Sequence, residues 1–538
     1  MSRSTVVTLL VTAARLAAQD TPLDAFRANI AAIHARDRAA YLSRYLHTPA
    51  LARVGPDGLS SGSARGVSER VFVRTPAGWR VAVTTAFPAA SVPPPPMALV
   101  GGTLVDGTGA APLANAVVVM RGGRIACAGS RGACPVPADA DTVSAAGKWI
   151  IPGLIDAHVH FSQTGWVDGR PDALDLRDRY PYEQVEAELH ATPERFYRSY
   201  LCSGVTAVFD VGGYPWTLEL QERTARSTTA PRVVAAGPLL STIDFWLNLP
   251  DQRQFIYMSD ETAVRAAVRA HKAWGAAAVK VWYIMPPQPP DTARVSALVH
   301  AAGDEARKVG LPLIVHATGL WEAKDAMQAG ARVLVHSVWS GPVDDEFLAL
   351  ARRGGTIYVP TLTVPDGYRQ VAARRFERDL QPLACVDPAT RAKALATDTV
   401  APAQRPSAAA VAERSARTAR TLAQGLANLK RVHDAGIPVG LGTDAGNPLT
   451  LHGASVFAEL EAMQAAGLKP VDVLLAATRT AARAAGAALD SAGTLTAGAV
   501  ADLVVLDADP LADIRNVRRI ALVARSGEIY TRRELEYR

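Results

Sequence analysis

Between residues 150 and 485 the chain alternates short apolar runs with longer Ala-rich stretches that carry polar residues at intervals. Apolar runs of roughly four to eight residues fit buried strands, and the Ala-rich stretches fit helices that cover them. Strand cores are predicted at residues 151–160, 206–210, 232–237, 277–283, 311–316, 332–336, 356–361 and 439–444. Eight strands alternating with helices over residues 151–485 predict an α/β fold, a parallel (β/α)8 TIM barrel.

The predicted barrel is longer than the ~250 residues that are usual for this fold. A polar, helix-prone segment runs from residue 365 to about residue 420 and follows the seventh predicted strand. We therefore expect this segment to be an insertion into the barrel.

Short strands broken by Gly pairs flank this middle region on both sides. Residues 98–150 and residues 486–538 share this texture, with runs such as A-V-V-V-M-R-G-G and A-D-L-V-V-L-D. Two pieces of similar character around a long insertion predict one small composite domain, β-sandwich-like, that is built from both ends of the barrel.

The first 97 residues contain three further segments. Residues 1–18 resemble a short secretory signal with cleavage near Ala18, although Arg15 interrupts the apolar region and an ordinary helix is the alternative. Residues 19–90 have one helical stretch followed by alternating runs, and this short α+β segment resembles part of a nuclear-transport-factor-like domain. Residues 91–97, S-V-P-P-P-P-M, predict an extended linker. The signal predicts a periplasmic or secreted protein, and without it the protein would be cytoplasmic.

Composition narrows the classes of partner. The 538-residue chain is 49% hydrophobic and 20% charged, which describes a soluble globular protein with a large core. Its net charge of +6 comes from scattered Arg rather than from a dense basic run, so nucleic acid is not an expected partner. No apolar stretch approaches the ~20 residues of a membrane span. We expect a homo-oligomer that acts on a small molecule.

The four cysteines are too few for a disulfide scaffold. Cys127 and Cys134 flank a G-S-R-G turn and are expected to be able to pair after export. Cys202 and Cys385 are interpreted as small buried hydrophobic residues.

The stretch K-W-I-I-P-G-L-I-D-A-H-V-H-F, residues 148–161, carries the first chemical signal. Side chains alternate along a strand, so His158 and His160 project to one face and can share a metal ion. An isolated H-x-H pair is as well explained by two ordinary half-buried histidines.

Polar residues at the ends of other predicted strands favour a metal site over two ordinary half-buried histidines. Lys280 stands alone among apolar neighbours in strand four, His316 and His336 end strands five and six, and Asp444 ends strand eight. Because the carboxyl ends of barrel strands meet at one face, these side chains and the H-x-H pair predict one polar ring. Such His and carboxylate clusters bind metal ions. A buried lysine is costly, so Lys280 requires a neutral amine or a negative partner.

Residues near this ring are candidates for substrate binding. Tyr283, assigned to the same strand face as Lys280, is expected either to hydrogen-bond a substrate carboxylate or oxyanion, or to be a structural tyrosine. Gln163 and Arg170 lie in the loop after strand one, and an arginine there suits a carboxylate. His452, beyond strand eight, is expected to support the site rather than to bind metal.

These motifs together resemble the amidohydrolase superfamily of metal-dependent hydrolases, in particular its imidazolonepropionase-like, Xaa-Pro-dipeptidase-like and ochratoxinase-like members. The resemblance covers residues 98–538 and is carried by P-G-L-I-D-A-H-V-H, V-K-V, V-H-A-T, V-H-S-V, Y-V-P-T-L and G-T-D-A-G. It implies two divalent metal ions, with zinc as the default. One ion would be held by His158, His160 and Asp444, and the other by His316 and His336.

The resemblance also implies that Lys280 carries a CO2-derived carboxylate that bridges the two ions. Asp444 would be the catalytic residue, a general base and then a general acid. The implied function is hydrolysis of C–N amide bonds, in dipeptide-like or N-acyl amino acid substrates. The alternative is a mononuclear cyclic amidase or deaminase that uses only His158, His160, His336 and Asp444. A non-catalytic scaffold is disfavoured because all six ligand positions are occupied by suitable residues.

Overall fold

The computed structural model of the chain describes the backbone of residues 66–75 and 78–88, and residues 95–285, 291–378, 382–400 and 406–537 in full. The chain divides into two compact units, Met1–Pro94 and Pro95–Arg538. The expected signal at 1–18, the helical part of 19–90 and most of the linker at 91–97 lie outside the described residues.

In the first unit, β1 (Gly66–Thr75) pairs antiparallel with β2 (Gly78–Pro88). The alternating run W-R-V-A-V-T-T-A-F falls within β2, as its period of two predicts. The register brings Thr75 opposite Gly78, so the two strands form a hairpin.

The second unit contains the remaining described strands and helices. Its strands are β3 (Met97–Leu104), β4 (Leu113–Arg121), β5 (Arg124–Ser130), β6 (Asp141–Ser144), β7 (Trp149–Pro152), β8 (Leu154–Val159), β9 (Val205–Asp210), β10 (Arg232–Ala235), β11 (Leu239–Ser241), β12 (Phe255–Tyr257), β13 (Val279–Trp282), β14 (Leu313–His316), β15 (Ala331–Val335), β16 (Ile357–Val359), β17 (Leu503–Leu506), β18 (Ile520–Arg525) and β19 (Glu528–Thr531). Its α-helices are α1 (Tyr182–Ala191), α2 (Tyr197–Cys202), α3 (Glu219–Ala225), α4 (Glu261–Ala273), α5 (Thr292–Val309), α6 (Leu320–Gln328), α7 (Asp345–Gly354), α8 (Val364–Ala372), α9 (Pro388–Ala396), α10 (Ala408–Asp434), α11 (Val456–Ala465), α12 (Pro470–Leu475), α13 (Ala481–Ala484) and α14 (Arg532–Leu535).

One sheet joins the two ends of this unit. Its eight strands run in the order β19-β18-β17-β7-β3-β4-β5, with β6 paired to β3. β17 runs antiparallel to β7 and brings Leu503 opposite Pro152. The strands thus form one hydrogen-bonded sheet rather than the two separate sheets of a sandwich. Apolar residues are buried on both faces of it, including Val118 on one side and Val119 on the other.

Parallel sheets carry the middle of the chain. β10-β9-β8 form one ladder and β12-β11-β13-β14-β15-β16 form another. The Ala277 amide donates to the Ala235 carbonyl at 2.9 Å and connects the two ladders. Strands overlap the first seven predicted cores. The eighth, residues 439–444, forms only isolated parallel bridges, Tyr358 to Val439 and, just beyond it, Val159 to Ala445.

The predicted insertion contains α8, α9 and the first half of α10. Val371, Phe376 and Ala394 of this segment pack in one apolar cluster with Trp166 and Leu451. The indole Nε1 of Trp166 also donates to Thr397 Oγ1 at 2.9 Å. The insertion is therefore folded against the loop that follows β8.

All four cysteines are paired in the structure. Cys127 bonds to Cys134, which agrees with the expected ability to pair. Cys202 bonds to Cys385, with a Cα–Cα distance of 5.4 Å, so their interpretation as free apolar residues is wrong. The two residues are separated by 183 positions, and only the packing of the insertion on α2 brings them together.

Among the described residues no helix is both long and apolar enough to span a membrane.

Candidate metal centre

The H-x-H pair lies at the carboxyl end of β8, with His158 within the strand and His160 directly after it. The carbonyl of Gly212 accepts from His160 Nδ1 at 2.6 Å, which leaves Nε2 of this ring with a free lone pair. The Nε2 atoms of His158 and His160 lie 3.2 Å apart. Asp156, two residues earlier, accepts from Thr443 Oγ1 at 2.6 Å and from Thr443 N at 2.9 Å. This contact fixes the chain next to Asp444 against β8.

Asp444 completes this group. Its Oδ1 atom lies 3.2 Å from His158 Nε2 and 2.9 Å from His160 Nε2. The same oxygen is buried and has no hydrogen-bond partner within the described residues. Three donor atoms that converge in this way, one of them unsatisfied, fit a metal ion.

His336 and His316 stand on the other side of the carboxylate. His336 Nδ1 is 3.8 Å from Asp444 Oδ2 and 2.7 Å from Thr361 Oγ1. The His316 and His336 rings have centroids 4.2 Å apart. His158, His336 and Asp444 each offer one ligand atom within 4.8 Å of the others.

Backbone strain accompanies these positions. His336 has φ +73° and Asp444 has φ +63°, in the left-handed region that side chains other than Gly rarely adopt. Such conformations persist where the surrounding structure holds them, and they cluster at functional sites.

Lys280 is 1% exposed in the middle of β13. Burial lowers the pKa of its amine to about 7, although the charge of Asp444 acts in the opposite direction. Across residues 95–285, 291–378, 382–400 and 406–537 this amine forms no hydrogen bond or ion pair. At this pKa a substantial fraction of the amine is neutral near pH 7, and the neutral amine is the first of the two states that the sequence allowed.

The protonation states of the group suit a cation. Burial lowers the pKa of His158 to about 3 and holds the pKa values of His316 and His336 well below the usual imidazole range. Burial acts to raise the pKa of Asp444, but His158 and His160 outweigh it and keep this carboxyl ionised. Neutral imidazoles and an ionised carboxylate are the forms that bind divalent metals.

A cavity of about 200 Å³ opens over these residues. It is lined by all six predicted metal ligands and by two of the predicted substrate residues, Gln163 and Arg170. Its other lining residues are Leu239, Phe255, Trp282, Thr318, Trp339, Val364, Pro365, Tyr368 and Asn447.

Tyr283 does not line this cavity. Its hydroxyl donates to Asp325 Oδ2 at 2.8 Å, so it is the hydrogen-bonded structural tyrosine of the two alternatives. Tyr283 follows Lys280 by three residues, and strand alternation therefore places it on the opposite face. The assignment of Tyr283 to the face of Lys280 was wrong. Trp282, two residues after Lys280, lines the cavity instead.

Arg170 belongs to a polar group at one side of the cavity. Its Nε and Nη2 donate to the two carboxylate oxygens of Asp172 at 2.8 and 2.7 Å. Its Nη1 donates to Asn447 Oδ1, and the Tyr368 hydroxyl donates to the same oxygen at 2.8 Å. Asn447 Nδ2 donates to the carbonyl of Asp444 at 3.2 Å.

His452 supports the loop after β8 and does not line the cavity. Its Nε2 donates to the carbonyl of Gln163 at 2.8 Å, so its Nδ1 accepts from the Tyr200 hydroxyl at 2.7 Å. Both nitrogens are therefore occupied, as expected of a residue that does not bind metal.

Sequence reasoning missed several residues of the site. Asp156 sits within the P-G-L-I-D-A-H-V-H motif, so its buried carboxylate was detectable there. Thr361, in Y-V-P-T-L, was detectable in the same way. Tyr368 carries no local signal, because only the folded insertion brings it to Arg170. Asn447 follows Asp444 by three residues, and this position after the eighth predicted strand was the available signal.

Parallel sheets present four histidines, a lysine and an aspartate to one cavity, and this donor set is typical of the metal centres of metal-dependent enzymes. The Amidohydrolase family model matches residues 149–530, more than half of the chain. The chain belongs to the amidohydrolase family.

Individual relatives share less with this chain. An imidazolonepropionase from Caulobacter vibrioides is 32% identical over 135 residues, which are 22% of this chain and 33% of that enzyme. The match thus spans about a third of that relative. A solved Xaa-Pro dipeptidase with methionine bound in its active site has a TM-score of 0.60 and 21% identity, covering 81% of this chain and 100% of the other. The ochratoxinase of A. niger has a TM-score of 0.61 and 22% identity, covering 81% and 96%. These two structures show similarity of fold alone.

Proposed function

We propose that this protein is a binuclear amidohydrolase that cleaves the amide bond of dipeptide-like or N-acyl amino acid substrates. One observation carries the proposal: all six candidate ligands line the same cavity. Water is consumed, and the products are a carboxylic acid and an amine. The names of the dipeptidase and ochratoxinase relatives support this substrate class only by analogy.

The residues divide between two ions. His158, His160 and Asp444 would hold one, and His316 and His336 the other, with zinc the default choice for such donors. When bound, the ions would supply an activated water and polarise the scissile carbonyl. Lys280 would contribute to holding them as a carbamate, because its neutral amine can add CO2 and release a proton to solvent, which leaves an anion. This change removes the cost of a buried, unpaired amine.

Asp444 would move the proton. Its carboxylate, kept ionised by His158 and His160, can accept a proton from the attacking water. It would then donate that proton to the leaving nitrogen. Asn447 and the Thr443–Asp156 contact hold the main chain on either side of Asp444, so the carboxylate keeps its position.

Further features belong to the same proposal. We infer that the two parallel ladders and residues 439–445 close into a (β/α)8 barrel, which the bridges to Tyr358 and Val159 support. We also infer export, supported by two disulfides that an oxidising compartment would maintain. A homo-oligomer remains our expectation.

The second candidate is a mononuclear enzyme that opens a cyclic amide or deaminates a ring. The ligand atoms of His158, His336 and Asp444 lie within 4.8 Å of one another, and His160 Nε2 lies 2.9 Å from Asp444 Oδ1, so the ligands of this candidate are grouped around Asp444. The similarity to imidazolonepropionase also favours it. This candidate leaves Lys280 without a role.

Metal analysis of purified protein separates the two candidates. We expect about two ions per wild-type chain, by mass spectrometry, and about one or none in Lys280→Ala. Added short carboxylic acids should partly restore the second ion and activity on a dipeptide and N-acyl amino acid library. Lys324→Ala, which removes a lysine on α6 paired with Asp344, is the matched control. A fully active wild-type enzyme with one ion would favour the mononuclear candidate.

A further inference from the structure

One side of the cavity is apolar and another is polar, and this difference determines the orientation in which a substrate can bind. The aromatic wall consists of Leu239, Phe255 and Trp282, with Phe245 behind them. The Trp282 ring has its centroid 4.9 Å from that of Phe255 and 5.0 Å from that of Phe245. Such ring pairs hold one another in place, so the wall is a rigid apolar surface.

The aromatic wall adjoins one half of the ligand group. Trp282 follows Lys280 by two residues in β13, and its ring centroid lies 6.1 Å from that of His316. Leu239 and Phe255 are opposite each other in β11 and β12, so two adjacent strands present this wall.

The polar anchor, Arg170, Tyr368 and Asn447, adjoins the other half. Asn447 connects it to Asp444, because its amide nitrogen donates to the Asp444 carbonyl while its amide oxygen accepts from Arg170 and Tyr368. A guanidinium carries five N–H donors, and three of those of Arg170 are used on Asp172 and Asn447. Two donors remain, the number that a second carboxylate requires.

These contacts fix a direction if Asp444 protonates the leaving nitrogen. The leaving group then lies on the Asp444 side, next to the polar anchor, and the acyl group extends past Lys280 and His316 to the aromatic wall. We propose that the substrate is an N-acyl amino acid with a bulky apolar or aromatic acyl group, whose leaving amino acid presents its α-carboxylate to Arg170. This inference rests on the proposed function and adds the polarity of the substrate.

Asp172 sets a limit on the strength of the anchor. It neutralises part of the Arg170 charge through its bidentate contact, and its side chain is 22% exposed. Arg170 is therefore a positioned donor rather than an uncompensated charge, and discrimination between an acid and its amide should be moderate.

Four substrates test the two sides separately: 3-phenylpropionyl-glycine, acetyl-glycine and the glycinamide of each. In the metal-loaded enzyme, Arg170→Met should lower kcat/KM for the two acids about 10- to 100-fold and for the two amides by no more than about 3-fold. Arg177→Met is the matched control, because Arg177 forms the same bidentate contact with Asp175 away from the cavity.

Trp282→Leu should lower kcat/KM for the two phenylpropionyl substrates about 10-fold and leave the acetyl substrates within about 3-fold of wild type. Trp282→Phe should retain most of the preference. Trp274→Leu, at an exposed indole that does not line the cavity, is the control. Circular dichroism and thermal unfolding exclude variants that fail to fold.

Calorimetric binding of 3-phenylpropionyl-glycine to the metal-free protein gives a readout besides turnover. Wild type should bind it more tightly than the glycinamide, and Arg170→Met should abolish that difference. Equal losses on acids and amides, or a preference for a carboxylate on the acyl side as in a succinyl amide, would overturn the inference. Selective binding with no hydrolysis of any substrate would instead contradict the proposed function. Equal hydrolysis of all four would leave the function standing and remove the inference.

Discussion

His336 and Asp444 hold their side chains in place through unusual backbone conformations. Each lies at the carboxyl end of a predicted strand with a positive φ, which costs about 1–3 kcal/mol per residue. The Asp444 amide donates to the His158 carbonyl at 2.7 Å and the His336 amide donates to that of Val359 at 2.9 Å. These hydrogen bonds hold both turns in place. The candidate ligand atoms therefore stay close together, although their lone pairs would repel one another without an ion between them.

Asp444→Asn separates proton transfer from folding. Asn keeps the size of the side chain but loses its basicity, so kcat should fall by roughly 10² to 10⁴ while most of the metal remains bound. Turnover and metal content measured on one sample check this result. Asp434→Asn is the control and should behave as wild type, because Asp434 forms an exposed ion pair with Lys430. Near-normal turnover with full metal content would remove Asp444 from the mechanism.

The six candidate ligands were predictable at this scale because strand alternation and the ends of the predicted strands can be read from the sequence. Tyr283 was misassigned because it follows Lys280 by three residues, an odd separation that places two side chains on opposite faces of a strand. Arg170 was found from its chemistry alone. Its partner Tyr368 could not be found, because its position depends on how α8 packs.

At the scale of elements, the insertion is held by contacts far apart in sequence. Cys385 bonds to Cys202 of α2, and the Arg195 side chain nearby donates to Asp387 at 2.8 Å. Val364, Pro365 and Tyr368 of the same segment line the cavity. The covalent bond therefore restrains a segment that shapes the substrate site.

Loss of this disulfide should destabilise the protein more than loss of the other one. A cross-link between residues 183 positions apart lowers the conformational entropy of the unfolded chain and so stabilises the folded state by about 5 kcal/mol. For a separation of 7 positions the same effect is about 2.5 kcal/mol. Denaturant unfolding of Cys385→Ser and of Cys134→Ser, each compared with wild type, measures the two effects. Equal losses would contradict the loop-length explanation.

Glu459 of α11 links stability to pH. Its carboxylate accepts from Leu362 N at 2.7 Å and from Thr363 N and Oγ1, which fixes the chain before α8. Burial nevertheless raises the pKa of Glu459 from 4.5 to about 7. Because the folded-state pKa is raised, the protonated form favours folding, and this stabilisation is present below pH 4.5 and is lost as pH rises through about 7.

Glu459→Gln should therefore gain stability relative to wild type as pH rises from 5 to 8, by about 2–4 kcal/mol, whatever its offset at pH 5. Unfolding free energies at several pH values measure this difference. Glu461→Gln, on the same helix and paired with Arg518, controls for the loss of one charge. A constant difference across the pH range would mean that Glu459 is ionised in the folded protein.

The periodic patterns located most strands, because short apolar runs bounded by Gly and polar residues are typical of buried strands. They missed β11 and β12, which have three residues each and lie between the predicted strand cores 232–237 and 277–283. They overestimated residues 439–444, where only isolated bridges form. The Cys202–Cys385 bond was beyond reach because cysteine spacing alone does not determine pairing.

At the scale of the molecule, the second compact unit begins at Pro95 and contains the whole candidate site. We expect residues 95–538 to fold and bind metal without the first unit. Expression of that fragment should give a cooperative thermal transition and the metal content of the full chain. The fragment from residue 149, which lacks β3 to β6, is the comparison and should fail to fold, because those strands cover one edge of β7. An insoluble 95–538 fragment would show that the first unit is needed for folding.

The pairing of β7 with β17 sets an order of events during synthesis. β7 cannot acquire this neighbour until roughly 350 residues later, which at about 5–20 residues per second takes the ribosome on the order of 20–70 s. Throughout that interval Ile150 and Ile151, both fully buried in the finished protein, are part of an open sheet edge beside the H-x-H strand. The nascent chain thus contains the H-x-H pair long before the sheet beside it can be complete, and until then Ile150 and Ile151 have no β17 to cover them.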